Sequence, residues 1–166
     1  MQQSASPTPS KLSLWIGLTR PKTLFSGLSS VLVAIFYAAS LGAIDVLRTL
    51  LLVVVAVAAQ IASNIANDLI DHRKGADTDE RKGPLRPLSR GLIREREVRL
   101  ALYLSLAVLL TSGLWLIALS SWWLLLVGLA VVLGVFAYSG GPYPLSYHGW
   151  GDAAVLVFFC WVPTVT

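Results

Sequence analysis

Four long runs of apolar side chains alternate with short polar segments along the chain. They cover about Leu24 to Ala43, Thr49 to Ile70, Val98 to Leu119 and Trp122 to Tyr138. Each run approaches the roughly 20 residues that an α-helix needs to cross a bilayer. A further run, residues 151–166, is 16 residues long and is too short for a complete crossing. The pattern predicts an all-α, polytopic transmembrane helix bundle with about four complete spans and the start of a fifth.

The composition supports a chain that lies in a lipid bilayer. Of the 166 residues, 55% are hydrophobic and 13% are charged, whereas soluble domains contain roughly 25% charged residues. The single cysteine, Cys160, lies in an apolar run and cannot form an intrachain disulfide. Residues 1–13 are polar and lack the charged start and apolar core of a signal peptide. We interpret them as a disordered lead to one transmembrane domain, residues 14–166.

The positive charges are concentrated on one side of the predicted membrane. Nine of the 13 Lys and Arg residues lie between Arg73 and Arg99, and three precede the first span. The positive-inside rule therefore predicts that the N-terminus and this basic loop are cytoplasmic, at the cell membrane. A topology signal that also attracts anionic lipid is the simplest alternative to a binding role. No nucleic acid partner is expected, because the cations are held at the membrane surface.

Polar side chains of the second predicted span fall on one face of its helix. Successive residues of an α-helix are rotated by about 100°, and on a helical wheel these side chains fall within an arc of roughly 100°. They are Gln60, Asn64, Asn67, Asp68 and Asp71. Polar groups in a span cost a few kcal/mol each and usually face a bundle interior or a watery cavity. The alternative is a helix end that emerges into water, with solvated aspartates and with asparagines that bond to neighbouring helices.

This polar face has the chemistry of a site for a divalent cation that carries a phosphorylated substrate. Mg²⁺ is commonly held by one or two carboxylates together with substrate phosphates. Asp68 and Asp71 are three residues apart on the last turn and can reach one ion together. Cations of the adjacent loop, among them Lys74, Arg81 and Arg86, could neutralise the other phosphate oxygens. The acidic face beside the basic loop therefore predicts a diphosphate site.

A second polar segment, residues 138–152, is also predicted to be cytoplasmic. It reads YSGGPYPLSYHGWGD, and its four glycines and two prolines exclude a continuous helix. A plain connector with interfacial aromatic side chains is one interpretation. The other is a wall for an aromatic or isoprenoid substrate, with the hydroxyl groups of Tyr138 and Tyr147 available for hydrogen bonds.

Four sequence segments, in order and with the predicted spans between them, resemble the UbiA superfamily of intramembrane prenyltransferases. They are RPKTL (20–24), NDLID (67–71), KGADTDERKGPLRPLSRGLI (74–93) and YSGGPYPLSYHG (138–149). More narrowly, they resemble the branch that acts on 1,4-dihydroxy-2-naphthoate in menaquinone biosynthesis. The resemblance implies a helical membrane enzyme that uses Mg²⁺ to transfer a polyprenyl group from polyprenyl diphosphate to an aromatic acceptor, with loss of diphosphate and CO₂.

The aspartate-rich motif of that family, N-D-x-x-D, falls on Asn67, Asp68 and Asp71. The resemblance therefore implies that these three residues are catalytic and bind the metal. A further Asp commonly follows four residues later, where this chain has Gly75, so Asp77 is the nearest candidate for an additional metal ligand. The candidates for substrate binding around this motif are Asn64, Lys74, Arg81, Arg86, Tyr138 and Tyr147.

Two features of the family pattern are missing from the sequence. Many relatives carry Y-x-x-x-K after the fourth span, but Pro142 stands at the lysine position. The second aspartate-rich motif, which in the family supplies the opposite side of the diphosphate site, does not occur after Tyr138. We therefore expect the chain to be the N-terminal half of such an enzyme, inactive alone, with a C-terminal half as the partner that supplies the second motif.

Two rival interpretations remain at this stage. The first is a non-enzymatic transporter or structural bundle. Many transporters bind their substrates at discontinuous helices near the membrane midplane. This polar cluster lies at the predicted cytoplasmic end beside the cations, which favours the enzyme. The second is a prenyltransferase for homogentisate or 4-hydroxybenzoate, since the GGPYPL segment alone favours naphthoate. The sequence contains no GxxxxGK[ST], HExxH or GxSxG motif, which excludes those nucleotide, zinc and hydrolase sites.

Overall fold

A computed structural model describes residues 10–75, 87–137 and 140 of the chain. Within these residues the protein forms α-helices and no β-strand. The helices are α1 (Lys11–Thr19), α2 (Pro21–Ser40), α3 (Val46–Arg73), α4 (Glu95–Leu119) and α5 (Leu124–Ala137). The predicted all-α fold class is confirmed for this part of the chain.

Three helical stretches are long and apolar enough to cross a membrane, judged by length and composition. They are Lys11–Ser40, which contains α1 and α2, Val46–Arg73 and Glu95–Leu119. Helix α5, at the predicted fourth span, is apolar but has 14 residues in the described part of the chain. The predicted incomplete span, residues 151–166, lies outside the described residues. The chain is a multi-pass membrane protein, and its orientation in the membrane stays a prediction.

Three helices begin before the predicted spans, two through a capping hydrogen bond and one through a proline at its first position. Helix α3 gains its first turn because the Asp45 carboxylate accepts a hydrogen bond from the backbone N–H of Arg48 at 2.9 Å. Helix α4 gains a turn where the backbone N–H of Arg94 donates to the Glu97 carboxylate at 3.3 Å. Helix α2 begins at Pro21, since the ring fixes a helical φ and the missing N–H is not needed at that position.

Helix α1 is not among the predicted elements, and it begins within the predicted polar lead of residues 1–13. The Ser10 side chain caps it by accepting a hydrogen bond from the backbone N–H of Ser13 at 3.2 Å. Arg20 then separates α1 from α2 with left-handed backbone angles, φ 49° and ψ 71°. This conformation costs an L-residue roughly 1–2 kcal/mol, so other contacts must hold the α1–α2 junction. The predicted domain boundary stays a prediction.

Helix α3 is the central element and packs against α1, α2, α4 and α5. The alanines along it allow close approach of the neighbouring backbones, as in many membrane bundles. The main hydrophobic core lies at the C-terminal end of α3 and also takes Leu88 and Ile93 from the segment before α4. Its other members are Leu14, Leu18, Ala62, Ile65, Ala66, Leu69, Val98, Leu102 and Val135.

The opposite end of the bundle is joined by a side chain from α3. Arg48 Nη2 donates a hydrogen bond of 2.7 Å to the backbone carbonyl oxygen of Leu119, the last residue of α4. A cation at a helix C-terminus also interacts favourably with the helix dipole. The start of α3 and the end of α4 therefore lie together, at the end of the bundle away from the α1–α2 junction.

A cavity of about 760 Å³ lies between α2, α3, α4 and α5. Its walls are mainly aliphatic, with Gln60 and Ser63 near the C-terminal half of α3 and Asp45 and Arg48 at the other end. Because α3 rises 1.5 Å per residue, the cavity follows it for about 22 Å between Arg48 and Ser63. The volume lies within the range of about 300–1,000 Å³ that is usual for ligand pockets.

Candidate functional site

The polar face of α3 is buried inside the bundle. The exposed fraction is 2% for Asp68 and 6% for Asn67 and Asp71. Buried polar groups are stable only when they are paired or hydrogen-bonded. The burial is inconsistent with a helix end that emerges into water with solvated aspartates.

An ion pair connects this face to the α1–α2 junction. Arg20 Nη2 donates a hydrogen bond to Asp68 Oδ1. The Arg20 side chain is 24% exposed, whereas that of Asp68 is 3% exposed. Charge-assisted hydrogen bonds of this kind are roughly twice as strong as neutral ones, so the pair fixes the Asp68 carboxylate against the junction.

The amide of Asn64 joins the same junction. Asn64 Nδ2 donates hydrogen bonds to the carbonyl oxygen of Thr19 at 2.8 Å and to Thr23 Oγ1 at 2.9 Å. The Thr23 hydroxyl donates in turn to the Arg20 carbonyl oxygen at 2.9 Å. Asn64 was predicted to bind substrate. The structure places its amide hydrogens on the α1–α2 junction.

No role was predicted for Thr19, Arg20 or Thr23, although Arg20 and Thr23 lie in the RPKTL segment that resembles the family. A usable signal was present. Arg20 directly precedes an apolar span, where a cation needs an acceptor, and Asp68 lies in a span that is predicted to end on the same side.

Asn67 and Asp71 form the part of the face that can hold a cation. Both are buried, and Asn67 Oδ1 has no hydrogen-bond partner among the described residues. The two residues are four apart on α3, which brings their Cβ atoms within about 5–6 Å. Amide and carboxylate oxygens are the ligands that Mg²⁺ prefers. These residues therefore fit a hard divalent cation, and the described residues hold no group of three His, Cys, Asp or Glu side chains that would form a complete protein cage.

The remaining predicted residues lie at the edge of this face or beyond the described part of the chain. Lys74 directly follows α3 and is exposed. Its neighbour Arg73 binds Glu95 at the start of α4, with Nη2 and Nε at 2.8 and 3.1 Å from Oε1. The predicted site residues that lie outside the described residues are Asp77, Arg81, Arg86, Tyr138 and Tyr147.

Gly140 places the start of the predicted aromatic segment beside α3. A Cβ atom at Gly140 would lie 3.2 Å from Ile70 Cδ1 and 2.5 Å from the Phe136 carbonyl oxygen. The backbone of Gly140 therefore lies against the Ile70 side chain, near the C-terminal end of α3. Only glycine allows this approach without displacement of a neighbour.

These features define a multi-pass helical membrane protein with a buried face of amides and carboxylates near one end of its bundle. The family model described as the UbiA prenyltransferase family matches residues 27–166, which include most of α2, all of α3–α5 and the whole polar face. The chain belongs to the UbiA prenyltransferase family. The resemblance predicted from its four sequence segments is confirmed.

Several curated relatives of the chain share one name. The chain is 36% identical over 160 residues to the 1,4-dihydroxy-2-naphthoate octaprenyltransferase of Escherichia coli (strain K12). The aligned region covers 92% of the chain and 52% of that relative. It is 40% identical over 145 residues to the protein of that name from Mycobacterium tuberculosis (strain ATCC 25618 / H37Rv), with 87% and 49% covered. The chain spans about half the length of the curated relatives it matches. No solved structure matches it.

Proposed function

We propose that the chain forms the diphosphate-binding part of an enzyme that transfers a polyprenyl group to 1,4-dihydroxy-2-naphthoate. The C1–O bond of polyprenyl diphosphate breaks, and its electron pair leaves with the diphosphate. The ring forms a carbon–carbon bond to C1, and loss of its carboxyl group as CO₂ returns an electron pair to the ring. The naphthoate acceptor is supported by the names of the curated relatives.

One observation carries this proposal. The buried amides and carboxylates of α3 lie on the same helix as the wall of a mainly aliphatic cavity of about 760 Å³. A polyprenyl diphosphate also combines a polar part with an apolar part, since its highly charged head is joined to a long apolar chain. In the proposed complex the head binds through a divalent cation held at Asn67 and Asp71, and the polyprenyl chain lies in the cavity between α2 and α5.

We assign the cation to Mg²⁺, held by Asn67, Asp68 and Asp71, with Asp77 as a further candidate. UbiA prenyltransferases generally use a divalent metal, and such an ion neutralises the charge that develops on a leaving diphosphate. The buried oxygen of Asn67 has no other partner among the described residues, which supports its role as a ligand.

The protein's own residues orient these groups and exclude water. Arg20 holds the Asp68 carboxylate in place, and the core around Leu69 and Val98 covers the other side of α3. Lys74, Arg81 and Arg86 are proposed to bind phosphate oxygens, and Tyr138 and Tyr147 to line the acceptor side. The opposite side of the diphosphate site is assigned to a second aspartate-rich motif outside this chain.

The proposal places the site at the cytoplasmic surface of the cell membrane. The basic segment from Arg73 to Arg99 begins at the end of α3 that carries the polar face, and the positive-inside rule puts that segment in the cytoplasm. Diphosphate and aromatic acids are water-soluble anions, so a site at this surface receives the acceptor and releases the product diphosphate without a membrane crossing.

The test uses membranes that contain the complete reading frame to which this chain belongs. With Mg²⁺ and polyprenyl diphosphate, they should prenylate 1,4-dihydroxy-2-naphthoate and release CO₂. Asp71→Asn should lower the rate at least about 100-fold, the range seen when one transition-state contact is removed. The matched control is Glu95→Gln, because Glu95 is an acidic residue outside the buried face whose ion pair with Arg73 is largely exposed.

Competition between acceptors distinguishes the members of the family. Excess homogentisate or 4-hydroxybenzoate should leave the naphthoate product unchanged. Prenylation of either competitor in preference to 1,4-dihydroxy-2-naphthoate would reassign the acceptor. A wild-type protein that prenylates none of the three would refute the enzymatic proposal.

A further inference from the structure

Among the described residues, the polar face contains a second buried oxygen without a partner, and it lies away from the predicted metal ligands. Gln60 is 8% exposed, and its Oε1 has no hydrogen-bond partner among the described residues. Neither the family motif nor the proposed diphosphate site uses this residue. A buried acceptor that stays unpaired costs free energy, so its presence calls for an explanation.

A chain of hydrogen bonds fixes which atom of the Gln60 amide is left unpaired. The carbonyl oxygen of Thr19 can only accept, so Asn64 must direct Nδ2 toward it, at 2.8 Å. Asn64 Oδ1 is then an acceptor, and Gln60 supplies Nε2 to it at 3.4 Å. Oε1 is therefore the free atom of Gln60, and a ligand that binds it must donate a hydrogen.

Gln60 lies where the polar face meets the cavity. It lines the aliphatic cavity between α2 and α5, where Ser63 is the nearest other polar residue along α3. Its Oε1 is shielded in the unliganded protein, so a ligand in the cavity reaches this oxygen when the Gln60 side chain turns toward it. It precedes Asp68 by two helical turns, which is about 12 Å along the axis. This separation leaves room for a diphosphate and the reacting carbon between the cation and the Gln60 amide.

The chemistry of the reactants selects the partner of Gln60. The diphosphate carries only acceptor oxygens and is repelled by Oε1, and a polyprenyl chain has no hydrogen-bond donor. The ring hydroxyl groups of a dihydroxynaphthoate are donors on a flat apolar body that suits the cavity. Of the proposed reactants, only the aromatic acceptor can satisfy this oxygen.

We propose that Gln60 Oε1 accepts a hydrogen bond from a ring hydroxyl group of the aromatic acceptor and so positions the ring above C1 of the prenyl chain. This assignment rests on the proposed prenyl transfer and adds the residue that recognises the acceptor. Gln60 is thus a substrate-binding residue with no role in holding the cation.

The experiment measures two Michaelis constants for the complete reading frame in membranes, with wild-type protein and Gln60→Leu. The KM for 1,4-dihydroxy-2-naphthoate should rise about tenfold, the factor for one neutral hydrogen bond. The KM for polyprenyl diphosphate should change less than about twofold. The substitution removes the buried Oε1, which has no partner among the described residues, and also the long 3.4 Å bond from Nε2 to Asn64 Oδ1. Because these two effects oppose each other, the Tm of the unliganded protein should change little. The matched control is Thr111→Val on α4, a polar-to-apolar change away from the cavity, which should alter neither KM.

Inhibition by 1-hydroxy-2-naphthoate and 4-hydroxy-2-naphthoate provides a test that does not depend on the fold of a variant. Each lacks one ring hydroxyl group. The analogue that lacks the bound hydroxyl should inhibit the wild type about tenfold more weakly than the other. In Gln60→Leu the two inhibition constants should become equal.

The possible outcomes separate this inference from the function on which it rests. An active wild type whose two analogues inhibit equally, or an unchanged acceptor KM in Gln60→Leu, would overturn the role of Gln60 and leave prenyl transfer intact. A fall in Tm together with equal rises in both KM values would show a structural role instead. An inactive wild type would remove the proposed function and this inference together.

Discussion

Arg20 and Asp68 form an ion pair between the α1–α2 junction and the buried face of α3. The arginine has left-handed backbone angles, and the aspartate is 2% exposed. One side chain thus helps to hold a strained junction and also positions a carboxylate of the family motif. The ion pair links the packing of the N-terminal helix to the geometry of the proposed site.

Replacement of Arg20 should therefore reduce both stability and activity. Arg20→Ala removes a charge-assisted hydrogen bond and should cost on the order of 2 kcal/mol. Thermal unfolding of the purified protein in detergent measures the loss as a lower Tm. Lys22→Ala is the matched control, because Lys22 is exposed on the next turn. Equal Tm values for the two variants would show that the ion pair contributes nothing to stability.

Asn64→Asp distinguishes a structural role of this residue from the predicted role in substrate binding. The substitution keeps the size of the side chain but removes both donors to Thr19 and Thr23. Because two acceptors would then face each other, we expect a loss of roughly 2–3 kcal/mol, measured by thermal unfolding. Ser63→Ala, one residue earlier, should have little effect on the Tm. An unchanged Tm with a higher KM for polyprenyl diphosphate would instead support substrate binding by Asn64.

Gly140→Ala tests the close approach of Gly140 to the end of α5 and to α3. The new methyl group would meet the Phe136 carbonyl oxygen at 2.5 Å, a distance that forces the backbone to move. We expect destabilisation of about 1–3 kcal/mol from overpacking. Gly128→Ala is the control, since its methyl group would lie 3.7 Å from Ile117 Cδ1, in ordinary contact. Equal unfolding temperatures for the two variants would show that the backbone at Gly140 accommodates a methyl group without loss of stability.

Arg48→Ala should have a small effect. Its bond to the Leu119 carbonyl oxygen is exposed, so the loss of that bond and of the dipole interaction should cost about 0.3–1 kcal/mol. The comparison of Tm values at low and high salt checks this assignment, because salt screens an exposed charge. A loss as large as that of Arg20→Ala would contradict the small effect expected for this exposed bond.

The apolar runs and the polar face of α3 could be predicted because both depend on local periodicity. A period of 3.6 residues identifies which positions share a face, and the structure places Asn67, Asp68 and Asp71 on that face together. The contact of Arg20 with Asp68 was missed, although both residues are predicted on the same side of the membrane. The contacts of Asn64 could not be predicted, since they join residues more than 40 positions apart. Helix α1 was missed because its first turn is polar and depends on the cap at Ser10.

The distance along the chain between Arg20 and Asp68 also affects the order of biosynthesis. The two residues are 48 positions apart, so at about 5–20 residues per second the ribosome makes the aspartate roughly 2–10 s after the arginine. Over that interval the Arg20 side chain has been synthesised but its carboxylate partner has not. The N-terminal helix therefore completes its docking only after α3 has been synthesised.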